Sequence, residues 1–152
     1  MLWSRIEPHI PKSLFGRECV GLHPLMRLMR YEEAGSLSAH VDGTLELGTG
    51  ASLEGLSFLT GMFYLNHDFS GGATRFFRSY DYCDQTHSYD GEGVIDIAPR
   101  AGMLNIFQHD LVHMGLPVSG TRKYGIRVMV CYKLKADEGV DDARLTHIWY
   151  PD

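Results

Sequence analysis

Cysteine is scarce in this chain and badly placed for cross-linking. Cys19, Cys83 and Cys131 are odd in number and widely separated, with no C-x-x-C pair among them. That excludes a disulfide scaffold and a zinc knuckle, and a reduced, cytoplasmic protein is the expectation. No hydrophobic run reaches membrane-spanning length, and the opening Met-Leu-Trp-Ser-Arg-Ile-Glu-Pro-His puts a carboxylate and a proline where a secretory signal needs apolar residues. Positive charge is also short. A net charge of -5 and a pI near 5.9 offer no electrostatic argument for nucleic acid or an anionic membrane, so neither is expected as a partner. Internal repeats and low-complexity tracts are absent too.

What is present is enough chain for one core. At 152 residues and 44% hydrophobic, residues 1–152 read as a single domain. The apolar segments are short and turn signals recur between them, which points to an all-β core with little helix. Strands are expected at Leu25 to Tyr31, Leu37 to Val41, Ser57 to Asn66, Ala73 to Phe77, Val94 to Ile97, Met103 to Phe107 and Lys123 to Lys133, with Gly71-Gly72 and Pro99-Arg100-Ala101-Gly102 marking turns. Asp42 to Gly55 and Arg78 to Gly93 read as loops, the second carrying Tyr80, Tyr82 and Tyr89 among acidic residues. Loops of that length are often functional lids. Ala136 to Ala143 reads as a solvated acidic tail, with Ile148-Trp149-Tyr150 folding back onto a sheet.

The chemistry concentrates in His40-Val41-Asp42, followed 71 residues after Asp42 by His113 and 10 residues later by Lys123. Residues two apart on a strand share a face, so His40 and Asp42 can enter one cavity while Val41 points to the opposite layer. Two imidazoles and a carboxylate can bind one face of an iron(II) ion and leave positions open for substrate and oxygen. The third ligand must come from a distant strand, and His109 and His113 are both candidates. The bland reading is that isolated histidines are core or surface residues, and an H-x-D triplet alone is worth little. Further on, Lys123, Gly125 and Arg127 share one strand face, so either cation can point inward to neutralise a buried acid.

Six separated blocks agree together with one family. Tyr31…His40-Val41-Asp42, Phe63-Tyr64-Leu65-Asn66, Gly71-Gly72-Ala73-Thr74-Arg75-Phe76, Pro99…Gly102…Phe107, His113-Met114-Gly115-Leu116-Pro117-Val118 and Gly120…Lys123-Tyr124 resemble the prolyl 4-hydroxylase-like branch of the iron(II) and 2-oxoglutarate dependent dioxygenases. The resemblance covers roughly residues 25 to 133. It implies a double-stranded β-helix, a jelly-roll barrel, with iron held by His40, Asp42 and His113, the last preferred over His109 for its spacing to Pro117 and the basic residue. It implies Lys123 as anchor of the far carboxylate of 2-oxoglutarate, with Tyr64 and Tyr31 beside it and Arg127 as second choice. Fe(2+), 2-oxoglutarate and O2 are the cofactors it implies, with ascorbate as an accessory candidate. Thr74 and Asn66 match family positions, with structural roles as the default.

This chain departs from the family's pattern at Met114-Gly115, where close relatives carry Glu-Gly, and at Leu37, where an aromatic is common. Only about 24 residues precede the first recognised strand, so the chain reads either as a minimal version of the domain or as one lacking part of the N-terminal helical support, and in the second case a partner subunit is expected to cover the exposed sheet face. The resemblance implies hydroxylation of an unactivated C-H bond, prolyl in a protein or peptide as the leading case, with release of succinate and CO2. A small-molecule hydroxylase and a catalytically inactive metal-binding jelly roll are the alternatives.

Overall fold

The computed structural model describes residues 2–48, 53–83 and 88–135. After one short helix, α1 (Leu2–Ile6), and a 3-10 turn (Glu7–His9), the chain runs as strands. These are β1 (Ser13–Leu14), β2 (Arg17–Leu22), β3 (Arg27–Tyr31), β4 (Leu37–His40), β5 (Glu46–Leu47), β6 (Gly55–Tyr64), β7 (Ser70–Gly71), β8 (Thr74–Cys83), β9 (Ser88–Ile97), β10 (Leu104–Gln108), β11 (His113–Gly115), β12 (Val118–Ser119) and β13 (Lys123–Lys133). Two antiparallel sheets face one another. The larger has the order β1-β2-β13-β6-β10, with β3 also on β13 and β5 on β6; the smaller has the order β4-β11-β8-β9, and β12 pairs with β7 in a separate ribbon. Phe76 of the smaller sheet meets Phe107 of the larger edge to face, ring centroids 5.0 Å apart. This is the jelly roll expected from the sequence, with little helix among the described residues.

Strands β6 and β13 form the middle of the larger sheet, and over the stretches Gly55 to Gly61 and Val128 to Tyr132 both of their faces are covered. Buried on both sides, those stretches read as nearly continuous apolar runs and not as alternation. Ile10, Leu56, Phe58, Leu59, Val130 and Tyr132 make a core at one end, onto which Trp3 and Leu14 of the N-terminal segment pack. The Tyr132 hydroxyl donates to the Pro11 carbonyl at 3.0 Å, pinning that segment down. At the other end Gly71 and Gly72 turn the chain with φ of 68° and 64°, and a Cβ on Gly71 would collide with the Pro117 carbonyl. Only glycine suits that turn.

Several expectations are corrected. Arg78 to Gly93 is not a loop: β8 and β9 are ten-residue strands paired from Thr74↔Ile97 to Cys83↔Ser88, leaving only 84–87 outside the described residues. Strand-forming tyrosines outweigh the Asp and Gly content that suggested a loop. Arg17–Leu22 was not expected as a strand, because Gly21 and a register shift opposite Cys131 and Tyr132 break its pattern. The first expected strand begins at Arg27 and not Leu25, and the third ends at Tyr64 and not Asn66. Within 42–55, β5 pairs with the start of β6, while 49–52 lie outside the described residues. Val41 does not enter an opposite layer but is 37% exposed. The acidic tail and Ile148-Trp149-Tyr150 also fall outside the described residues. No helix among the described residues is long and apolar enough to cross a membrane.

Leu56 is fully buried in the core cluster. Leu56→Ala is expected to cost about 2–5 kcal/mol of unfolding free energy, measured as a lower midpoint in urea. An unchanged midpoint would show that this cluster does not carry the fold.

Candidate metal centre and anion pocket

Pairing between β4 and β11 brings the two histidines together. His40 lies opposite His113 in that register, and their rings are 4.3 Å apart between centroids. Each ring is oriented by its own chain: His40 Nδ1 is 2.8 Å from the Ser38 carbonyl and His113 Nδ1 is 2.8 Å from the Leu111 carbonyl. A carbonyl can only accept, so Nδ1 carries the hydrogen in both and Nε2 keeps its lone pair. Those Nε2 atoms converge on Asp42, at 3.7 Å from Oδ1 for His40 and 3.8 Å from Oδ2 for His113.

Asp42 stands just beyond β4 and is anchored through its main chain, its N–H donating to the His109 carbonyl at 2.9 Å. Both carboxylate oxygens are held from the larger sheet. The Thr60 hydroxyl donates to Oδ2 at 2.6 Å and Arg127 donates to Oδ1 at 2.7 Å. Burial pushes the Asp42 pKa up, but His40, Thr60, His113 and Arg127 together outweigh it and hold the carboxyl well below its usual range. Asp42 in turn raises the pKa of His40, whereas burial lowers that of His113. One ligand atom from each of His40, Asp42 and His113 falls within 4.8 Å of the others, and among the described residues this is the group able to hold a metal ion. The donor set fits iron(II): two imidazole nitrogens with fixed tautomers and an ionised carboxylate, backed by hydrogen-bonding partners. His109, the rival third ligand, is buried but not part of that group; its backbone ties Asp42 and Phe58 together instead.

A cation lies in the same cavity. Lys123, only 3% exposed, donates from Nζ to the Gly72 carbonyl at 2.6 Å, with Nζ 4.9 Å from the Tyr31 ring centroid and 5.3 Å from that of Tyr64. Tyr31 is its direct cross-strand neighbour on β3. Burial, with no acidic neighbour among the described residues to counter it, pushes its pKa down to about 8. A buried ammonium without a carboxylate partner is costly, and an acidic ligand would relieve that cost. Thr74 lines the cavity, while Tyr64, whose hydroxyl is 2.7 Å from Thr74 Oγ1, stands behind it and outside the lining. Asn66 is not part of the lining either: its amide spans Asp68, Arg122 and Tyr124 in a structural turn. The Asn105 side chain is buried beside Tyr64 and lowers its pKa, against the rise that burial causes.

His40, Asp42, His113, Tyr31, Thr74 and Lys123 line one cavity, and Met29, Leu37, Met62 and Met114 give it apolar walls. Arg127 lines it too, though at Asp42. Sequence reasoning missed Thr60, whose one signal was a hydroxyl inside the apolar run Ser57 to Leu65. It also missed Gly72 as the lysine's partner, since a carbonyl leaves no mark in a sequence.

The profile of the 2OG-Fe(II) oxygenase superfamily matches residues 26–130, which contain every one of these side chains. The chain belongs to the 2OG-Fe(II) oxygenase superfamily. Like this oxygenase domain in fold is a prolyl-4-hydroxylase from Pseudomonas putida, with a TM-score of 0.54 at 18% identity over 89% of this chain and 63% of that one. A viral collagen prolyl hydroxylase from Paramecium bursaria Chlorella virus-1, in its 2-oxoglutarate complex, gives a TM-score of 0.43 at 19% identity over 70% of this chain and 60% of that one. The chain thus spans less than two thirds of the length of either structure. No curated protein sequence matches it.

The pocket lysine makes the oxygenase site sensitive to pH. Native Lys123 loses its proton near pH 8, against 10.5 for an ordinary lysine. Between those values the unfolded chain binds more protons, so the burden of burying the ammonium is full below about pH 8 and fades as pH rises through the window. A bound anion needs that ammonium. Dicarboxylate affinity measured by calorimetry is therefore expected to fall as pH rises past about 8, and Lys123→Met to remove both the affinity and its pH dependence. A flat profile in the native protein would rule Lys123 out as the anion's partner.

Proposed function

We propose that this chain is an Fe(II)- and 2-oxoglutarate-dependent dioxygenase that hydroxylates an unactivated C-H bond, a prolyl residue of a protein or peptide being the leading substrate, with release of succinate and CO2. The observation that carries the reading is the placing of a buried, uncompensated Lys123 in the same cavity as His40, Asp42 and His113. A structural lysine would find a carboxylate or solvent; this one has a carbonyl and two aromatic rings. Iron(II) held by the three ligands would supply oxygen activation and the oxidative decarboxylation of 2-oxoglutarate.

The chain's own residues do the rest. Lys123 neutralises the far carboxylate of the cosubstrate, with Tyr31 as a cavity wall and the Tyr64 ring packed beside the ammonium, keeping water from it. Thr74 fixes the Tyr64 ring through its hydroxyl. The apolar side chains of Met29, Leu37, Met62 and Met114 offer contact to an uncharged C-H-bearing group and exclude water from it. The departure at Met114 adds to that surface. A peptide is favoured as substrate because β9 ends the smaller sheet with an unpaired edge among the described residues, along which an extended chain can add main-chain hydrogen bonds. The complete ligand set argues against an inactive barrel. Ascorbate enters as an accessory reductant to be tested. Free Cys19 and Cys131 suit the expected cytoplasmic setting.

A partner covering the outer face of the larger sheet belongs to the same proposal. Leu28, Ile126, Phe63 and Leu104 are cross-strand neighbours in one row on β3, β13, β6 and β10, and Leu28 is 73% exposed.

Anaerobic titration of the protein with iron(II) and 2-oxoglutarate tests the reading. A visible charge-transfer band is expected, lost in His113→Ala and needing at least about tenfold more cosubstrate in Lys123→Ala. A folded protein that gives no band would sink the dioxygenase reading. Succinate formation stimulated by a proline-containing peptide would support the substrate proposal; stimulation by metabolites alone would replace it with a small-molecule hydroxylase.

A further inference from the structure

Sequence reasoning offers Arg127 as a second anchor for the cosubstrate's far carboxylate. Its guanidinium is engaged elsewhere, on Asp42 Oδ1 at 2.7 Å. Asp42 has a side chain only 1% exposed, and Arg127 17%. Thr60 holds the other oxygen, and the Asp42 main chain is fixed by the His109 carbonyl. Turning the carboxylate about its own axis would break two short hydrogen bonds at once, both of them charge-assisted.

That clamp matters because a carboxylate has two ways to meet a metal. Left free, it can offer both oxygens and occupy an extra coordination position, which a 2-oxoacid needs for its own carboxylate and keto group. Held at Oδ1 by a guanidinium that never loses its charge, the carboxylate has fewer lone pairs to give. Resting on the dioxygenase reading, we propose that Arg127 is a positioning residue: through Asp42 it restricts the carboxylate to a single bond with iron(II) and so keeps a position open for the 2-oxoacid.

The strand separates this task from that of Lys123. The two cations lie on the same face of β13, four residues apart, which places their Cα atoms about 13 Å from one another. Lys123 sits at the Gly72 turn, and Arg127 at the metal ligands. Were Arg127 to leave Asp42 for the far carboxylate, Oδ1 would lose its partner inside the protein and Lys123 would stay uncompensated, two penalties in place of none. Among the described residues lining the cavity Asp42 is also the one carboxylate, so it is the acid the geometry gives Arg127 to serve.

The test compares two 2-oxoacids. 2-Oxoglutarate carries a far carboxylate and 2-oxobutyrate does not, so a residue acting at the metal end affects both, and one acting at the far end affects only the first. Each is titrated anaerobically into the iron(II)-loaded native protein and into Arg127→Met, Arg127→Lys and Lys123→Met, following the charge-transfer band and its position. Iron retention is measured separately by colorimetric assay after desalting. Arg127→Met is expected to keep its iron, to bind both 2-oxoacids about tenfold more weakly or worse, and to shift the band, with partial recovery in Arg127→Lys. Lys123→Met is expected to weaken 2-oxoglutarate alone.

Weakening of 2-oxoglutarate alone by Arg127→Met would make Arg127 an anchor and overturn the proposal. So would unchanged binding of both acids with an unmoved band. Loss of iron from both Arg127 variants would overturn it too, by showing that the residue holds the ligand set together and does not set its bonding. Absence of a band in the native protein would instead bring down the dioxygenase reading itself.

Discussion

A single buried carboxylate joins the two sheets at the point where function is expected. Asp42 comes from the end of β4 in the smaller sheet, and the groups that neutralise it, Thr60 and Arg127, come from β6 and β13 in the larger. Removing one partner of a buried ion pair costs about 3–5 kcal/mol, a large share of what holds a domain of this size folded. The sheets therefore cannot drift apart without exposing that charge, and the histidines cannot lose their alignment while β4 and β11 remain paired. Geometry that suits a metal is also geometry that closes the barrel.

Charge along the cavity follows a simple order. Beside the histidines, Arg127 and Asp42 largely cancel; at the Gly72 turn, Lys123 is left uncancelled. The near end can accept a divalent cation because it offers two imidazole lone pairs and an ionised carboxylate, and the far end asks for an anion because its charge is unpaired. A linear molecule with a metal-chelating head and a carboxylate tail matches both ends in one orientation.

Much of this was legible in the sequence, and particular residues show why. His40 and Asp42 two apart on a strand, with Lys123 and Arg127 sharing a face of another, obey the alternation of extended chain whatever the surroundings. The preference for His113 over His109 came from resemblance, and the pairing of β11 with β4 is what brings His113 opposite His40. The β8–β9 hairpin was misread because its Asp and Gly content resembles that of a loop; strand pairing is a long-range property that local composition does not carry. The contact of Arg127 with Asp42 was invisible for the same reason. Parity along β13 says which way the side chain points but not what waits for it across the barrel.

The distances in sequence have a consequence for how long such a molecule survives. The Asp42 and His113 positions are separated by 71 residues, and only the closed barrel brings them within reach of one ion. Partly opened forms have no site, so metal and anion bind the closed form alone and draw the population toward it by mass action. On the proposed dioxygenase reading, resistance to proteolysis would track the supply of iron and dicarboxylate: when either ran short, the open forms that proteases attack would become more frequent.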